Sequence, residues 1–195
     1  MNKELKRLLQ ISIGLLALIL ISINIIYDHH SQNFVANASK TSQIINTNRL
    51  RSARLNRPSE KWPYPKINHQ SQLTLVGVKA SNQLFVINRQ TNRVIYIVHA
   101  KINAKPTAQP LKVLKASGQE IYHIHGAKQT TGQSWLSLSN QVYLEAPLRD
   151  SNNQPVSNKL LKIKPSSNLI YVSSHDANWL QNIPTNTPVY IQEEK

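Results

Sequence analysis

Residues 72–100 read QLTLVGVKASNQLFVINRQTNRVIYIVHA. Three stretches of this segment, QLTLVGVKA (72–80), QLFVINR (83–89) and RVIYIVHA (93–100), are rich in β-branched residues and largely alternate. Ser-Asn and Gln-Thr-Asn separate them, residue types that suit tight turns, so the pattern predicts a meander of three strands.

Outward from this meander, PLKVLKA, EIYHIHG, SWLSLSNQVYLEA, NLIYVS and the terminal PVYIQ are further strand candidates, with Gly and Pro confined to the gaps. One short helix is expected over SHDANWLQNI (174–183), with Ser174 or Asp176 near its start and Pro184 after its end. No internal repeat is visible. The expectation is a mainly β domain over residues 62–195 with one late helix.

A chain of 195 residues with 40% hydrophobic content can bury one ordinary core. It has no cysteine, which excludes disulfides, thiolate metal sites and a cysteine nucleophile. Twenty-three Lys and Arg against nine Asp and Glu give a formal charge of +14, so a polyanionic neighbour is expected.

The N-terminus narrows that class. After Lys3, Lys6 and Arg7 comes LLQISIGLLALILISINIIY (8–27), long and apolar enough for a membrane-spanning helix. Asp28, His29 and His30 follow directly, and Ala36-Asn37-Ala38 lies too far on for signal cleavage, so an uncleaved anchor is expected. Positive charge before the span keeps residues 1–7 cytoplasmic and sends the rest outside, which argues against nucleic acid as a partner. Residues 28–61, rich in Asn, Ser, Gln and Arg and without sustained period, read as a basic polar linker with short helix around 44–55. Arg49, Arg51, Arg54 and Arg57 there are candidates to touch wall polymer or anionic lipid, against the plainer reading of a solvated charge run.

Several pieces together resemble the L,D-transpeptidase catalytic domain, in its membrane-anchored lactobacillus-type form. RPSEKWPYP (57–65) is similar to the stretch preceding that domain, and VKASNQLFVINRQTNRVIYIV (78–98) to its opening hairpin. VYLEAP (142–147) is similar to the strand leading to the active site, and DANWLQNIPTNTPVYI (176–191) to the final helix, Ile-Pro turn and last strand. The resemblance covers roughly residues 57–192 and implies an L,D-transpeptidase-like β-sandwich or barrel, with peptidoglycan or teichoic acid as neighbours and no cofactor.

The family's signature, Ser-His-Gly-Cys-x-Arg, falls on Ser166-Ser167-Asn168-Leu169-Ile170-Tyr171, where the first serine alone matches. Acyl exchange of this kind needs a thiolate and an imidazole to activate it, and Leu169 offers no nucleophilic atom. Upstream, where the family often has a second histidine, stand Glu145 and Ala146. Ser166, Ser167, Asn168, Leu169, Tyr171 and Ala146 are therefore vestigial positions, with Tyr171 and Glu145 left as candidate binding residues. The expectation is a catalytically inactive, extracytoplasmic wall protein, against a plain anchored interaction domain that binds nothing.

Two further constellations invite chemistry. Ser166, Ser167, Ser173 and Ser174 beside His175 and Asp176 supply the residue types of a serine-based transpeptidase or hydrolase, although Ser and Asp before a helix are ordinarily caps. His123 and His125, two apart on a strand, could begin a metal site with Glu145, Glu120 or His99, but no compact metal motif accompanies them. Among the aromatic residues, Trp135 and Trp179 are expected in the core, and Tyr171 is the candidate stacking surface for a glycan.

Overall fold

A computed structural model of the chain describes residue 22 and residues 49–106, 109–125, 128–149, 152, 154–164 and 167–193. The expected membrane span, and the linker up to residue 48, lie outside the described residues apart from Ser22. Among the described residues no helix is long and apolar enough to cross a membrane. The chain divides into two units, Met1–Gln43 and Ile44–Lys195, and the fold below is that of the second.

Asparagine sets the turns of the opening meander. Asn82 (φ 53°) closes the link from β1 (Leu73–Val78) to β2 (Gln83–Asn88), and Asn92 (φ 51°) the link from β2 to β3 (Arg93–His99). Asn adopts this left-handed backbone more readily than other residues with a Cβ. The Asn88 side chain also accepts the Gln90 and Thr91 amides at 2.9 and 3.1 Å. β1 is buried along its whole length, as its nearly continuous apolar run requires of a strand covered on both faces.

The remaining strands are β4 (Lys101–Ile102), β5 (Leu111–His125), β6 (Lys128–Leu138), β7 (Val142–Arg149), β8 (Leu169–Tyr171) and β9 (Pro188–Gln192). They form one hydrogen-bonded run ordered β3-β2-β1-β9-β5-β6-β7-β8-β4. β5 belongs to both halves, pairing with β9 through Leu111 and Lys112 and with β6 beyond them. The main core lies between these strands and α1 (Ser174–Leu180), with Leu75, Val98, Leu138, Leu144, Leu180 and Val189 fully buried. The expected mainly β architecture with one late helix is what the chain forms.

Four boundaries differ from expectation. PLKVLKA and EIYHIHG are one strand, because the intervening Ser-Gly does not turn: a Cβ at Gly118 would stand 2.8 Å from the Trp135 indole nitrogen, so the glycine admits a bulky cross-strand neighbour. SWLSLSNQVYLEA is conversely two strands, β6 and β7, broken where Asn140 (φ 59°) and Gln141 (φ 56°) take the paired left-handed conformation of a tight hairpin. The α1 cap is Ser173, whose hydroxyl accepts the Asp176 amide at 3.0 Å, rather than Ser174 or Asp176.

The fourth difference concerns the linker. Residues 49–61 pack on the domain and form no helix from 49 to 55. Leu50 bridges to Glu60, the Leu55 amide bonds Asn158, and the Ser174 amide bonds Leu55. The buried Glu60 carboxylate anchors the segment, accepting from Arg49 Nε at 2.5 Å and from the Ile97 amide at 2.6 Å. Composition concealed this, because the residues holding the segment are polar and the signal of a tether is also polarity.

Burial raises the Glu60 carboxyl above its usual range, against the opposing pull of Arg49 and the Ile97 amide. Its ionised form is thus less favourable in the fold than in the open chain. Stability linked to this group is fully present below the ordinary carboxylate range and declines as pH rises through the raised folded value. Arg49→Ala removes the counter-charge, so it should cost about 3 kcal/mol around pH 7 and markedly less around pH 4, where Glu60 is protonated. Urea unfolding of both chains at the two pH values measures the difference; an equal loss at both would show that Arg49 is not supporting an ionised Glu60.

Candidate functional site

β7 divides two environments, because successive residues of a strand face opposite ways. Leu144 and Ala146 point into the main core, whereas Tyr143 and Glu145 share the other face with β8. β8 runs parallel to β7 with Tyr143 opposite Leu169 and Glu145 opposite Tyr171, and antiparallel to β4. The segment aligned with the family signature therefore lies on the outer face of the β7 side of the sheet.

Apolar packing fills that face. Leu169 (1% exposed) and Tyr171 (2%) form a cluster with Leu160 of a short 3-10 turn (Leu160–Lys162), covered by Ala53, Leu55, Tyr143 and Ile163. Tyr171 is thus not a stacking surface, contrary to expectation, because the Ala53–Leu55 segment and the 3-10 turn close over it. Asn168 holds φ 62°, a left-handed backbone that Asn tolerates better than most residues with a Cβ. Ser167 and Asn168 are exposed, and Ser166 lies outside the described residues. Ala146 does not join Leu169; it is buried on the opposite face of β7.

Beside this cluster sits a buried hydrogen-bonded pair that sequence reasoning placed only in part. His123 Nε2 meets Glu145 Oε2 at 2.6 Å, with His123 92% and Glu145 fully buried. The His123 ring lies 5.0 Å from that of Tyr143, which in turn meets Trp135 edge-on at 6.1 Å. Glu145 Oε1 and the hydroxyl of Thr130, the cross-strand neighbour of His123, find no hydrogen-bond partner among the described residues. Gly132 makes the room: a Cβ there would stand 2.5 to 2.9 Å from the Glu145 carboxylate. Glu145 is accordingly an interior group rather than a surface binding residue. The pairing was legible only to the extent that Glu145 is one of three conceivable further ligands of a metal site at His123 and His125. Among the described residues no group of three metal-ligating side chains forms.

The remaining candidates separate. Arg49 belongs to Glu60 and lies over the exposed Trp62 ring at 4.8 Å, and Arg57 folds back on the Ser52 carbonyl at 3.0 and 3.2 Å. Arg51 and Arg54 remain exposed. The serine constellation is taken up by structure: Ser173 caps α1, Ser174 Oγ donates to the Leu55 carbonyl, and Asp176 is buried among hydroxyl donors. His175 is exposed, and the Asp176 carboxylate takes its hydrogen bonds from Ser59, Tyr64, Tyr96 and Ser173 instead. Trp179 is a core residue as expected, stacked on Tyr64 at 5.0 Å, and Trp135 is half-buried with its indole donating to the Glu120 carbonyl.

No family model and no curated relative matches the sequence. Solved L,D-transpeptidases from several species are similar to the chain in structure. One from Mycobacterium tuberculosis matches at TM-score 0.45 and 14% identity, over 63% of this chain and 62% of that one. Another, from Stackebrandtia nassauensis, matches at TM-score 0.46 and 12% identity, over 68% and 61% respectively. A fused Zn-dependent amidase/peptidase/peptidoglycan-binding protein from Clostridium acetobutylicum matches at 0.43 and 10%, over 66% and 55%. The chain spans less than two thirds of the length of each.

Gly132→Ala should destabilise the chain by about 1–3 kcal/mol, since the added methyl must displace the Glu145 carboxylate. In the Glu145→Ala background most of that penalty should vanish, giving a coupling of about 1 kcal/mol or more. Urea midpoints of the four chains of this cycle provide the measurement. Strictly additive losses would mean that the carboxylate does not sit over Gly132.

Proposed function

We propose that this chain is a single-pass, extracytoplasmic protein of L,D-transpeptidase kinship that no longer exchanges acyl groups and serves the cell wall by binding or regulation. The observation that carries this reading is Leu169: on the sequence resemblance it falls at the cysteine of the signature, and it is buried in an apolar cluster with Leu160 and Tyr171. An alkyl side chain cannot attack a carbonyl, and a site packed by leucines leaves no space for a donor peptide. Asn168, aligned with the signature's glycine, takes a left-handed backbone that glycine adopts freely, which supports common descent of the segment.

The anchor at residues 8–27 and the outward topology rest on the apolar run and the charge before it. Beyond residue 7 the chain has twenty basic and eight acidic residues, a surplus that draws it to anionic neighbours such as teichoic acid, lipid headgroups or peptidoglycan carboxylates. Arg51 and Arg54 are the members of the arginine run exposed for such contact.

The full chain, purified in detergent and incubated with tetrapeptide and pentapeptide muropeptides, should release no D-alanine and form no cross-linked dimer. Release of D-alanine would overturn the reading. If Ser167→Ala or His175→Ala then abolished that release, the activity would belong to a relocated serine site.

A further inference from the structure

On the side of the molecule where α1 ends, a cavity of about 500 Å³ opens between the Ile67–His69 loop, the first half of β5 and residues 181–185. Its volume falls in the range of small-molecule sites, and it does not include the Leu169 cluster. Its wall is apolar at Ile67, Leu114, Ile183 and Pro184, with Leu114 41% exposed.

The polar lining of this cavity combines a lysine with amide and hydroxyl groups. Lys115 and His69 line it, both exposed and both without a side-chain hydrogen-bond or ion-pair partner among the described residues, and no lining residue is acidic. Gln181 donates its amide nitrogen to the Gly118 carbonyl at 2.6 Å and to the Trp135 carbonyl at 3.2 Å, and Asn182 donates its own to the Trp179 carbonyl at 2.9 Å. Each amide is thereby anchored through its nitrogen, and its oxygen is left as an acceptor with no donor among the described residues. A ligand that satisfies the site brings a negative charge for Lys115, N–H donors for Gln181 and Asn182, and an apolar side chain for the wall.

We propose that this cavity binds the carboxylate end of a short peptide with an apolar side chain, independently of any residual role of the Leu169 segment. A fatty acid would match the wall and the lysine but bring no N–H donor to either amide oxygen, which disfavours it. A phosphodiester polymer would match the lysine alone.

Fluorescence anisotropy with the full chain in detergent tests the assignment, using dansyl-leucyl-leucine as free acid, the same dipeptide as C-terminal amide, and laurate as competitor. The free acid should bind saturably and about tenfold more tightly than the amide, as expected for a charge-assisted contact that the amide lacks. Lys115→Gln should bring the free acid down to the level of the amide, and Ser117→Trp, which places an indole in the cavity, should abolish binding of both while leaving thermal unfolding in place. Absence of saturable binding, equal affinity for acid and amide, insensitivity to Lys115→Gln, or displacement by laurate at lower concentration than by the unlabelled dipeptide would each overturn the proposal. Should Ser117→Trp not fold, the acid–amide comparison and Lys115→Gln decide the matter alone.

Discussion

The position of almost every element near the site depends on one buried carboxylate. Asp176 is fully buried and accepts from Ser59 Oγ at 2.6 Å, Ser173 Oγ at 2.6 Å, Tyr64 Oη at 2.9 Å and Tyr96 Oη at 3.4 Å, with the Ser59 amide at 3.3 Å. An unpartnered carboxylate there would be prohibitive; this one is surrounded by hydroxyl donors and, among the described residues, forms no salt bridge. Burial, and then the charge of Asp176, push the Tyr64 and Tyr96 hydroxyls far up, so both remain protonated donors. The network thereby joins the Ser59–Tyr64 segment, β3 and the first turn of α1, and the stacked Tyr64, Tyr96 and Trp179 rings close over it.

From that anchor the geometry of the outer face follows. Ser173 is both a donor to Asp176 and the cap of α1, and it lies two residues after Tyr171. Fixing Ser173 fixes the end of β8, and β8 in parallel register with β7 fixes Leu169 opposite Tyr143. The segment preceding residue 62 is held at its other end by Glu60 and Arg49, which lays Ala53 and Leu55 over Leu169 and Tyr171. The apolar filling of the face is thus a consequence of two polar anchors some distance from it.

Much of this was legible in the sequence where local pattern and final environment agree. The meander of β1–β3 carries both the β-branched run and Asn at each turn, and the helix carries a cap, a core tryptophan and a terminating proline. Legibility failed where a residue's role depends on a distant partner. Glycine at 118 reads as a break until Trp135 is placed across from it, and Asn140-Gln141 sits unnoticed inside an apolar run until both residues take left-handed backbone. Glu60 and Asp176 look like ordinary surface acids beside Lys61 and His175, and nothing local says that each will be buried. Tyr171 looked like an available ring because its covering leucine, Leu160, is nine positions before Leu169 and belongs to no recognisable pattern.

On the proposed reading, loss of the chemistry and persistence of the fold have a common physical basis. A catalytic thiolate and imidazole must stay solvated or paired in an open cleft, and such groups contribute little to stability while requiring a precise, strained surround. Leucine at 169, fully buried, contributes about 1.5–3 kcal/mol of apolar burial instead. Asp176 and Glu60, on which the surrounding segments depend, take their hydrogen bonds from Ser59, Tyr64, Ser173, Arg49 and the Ile97 amide, and among the described residues neither bonds residue 169. The scaffold can therefore exchange its reactive centre for a hydrophobic plug without disturbing what holds it together, and any function that survives is to be sought on faces the plug does not reach.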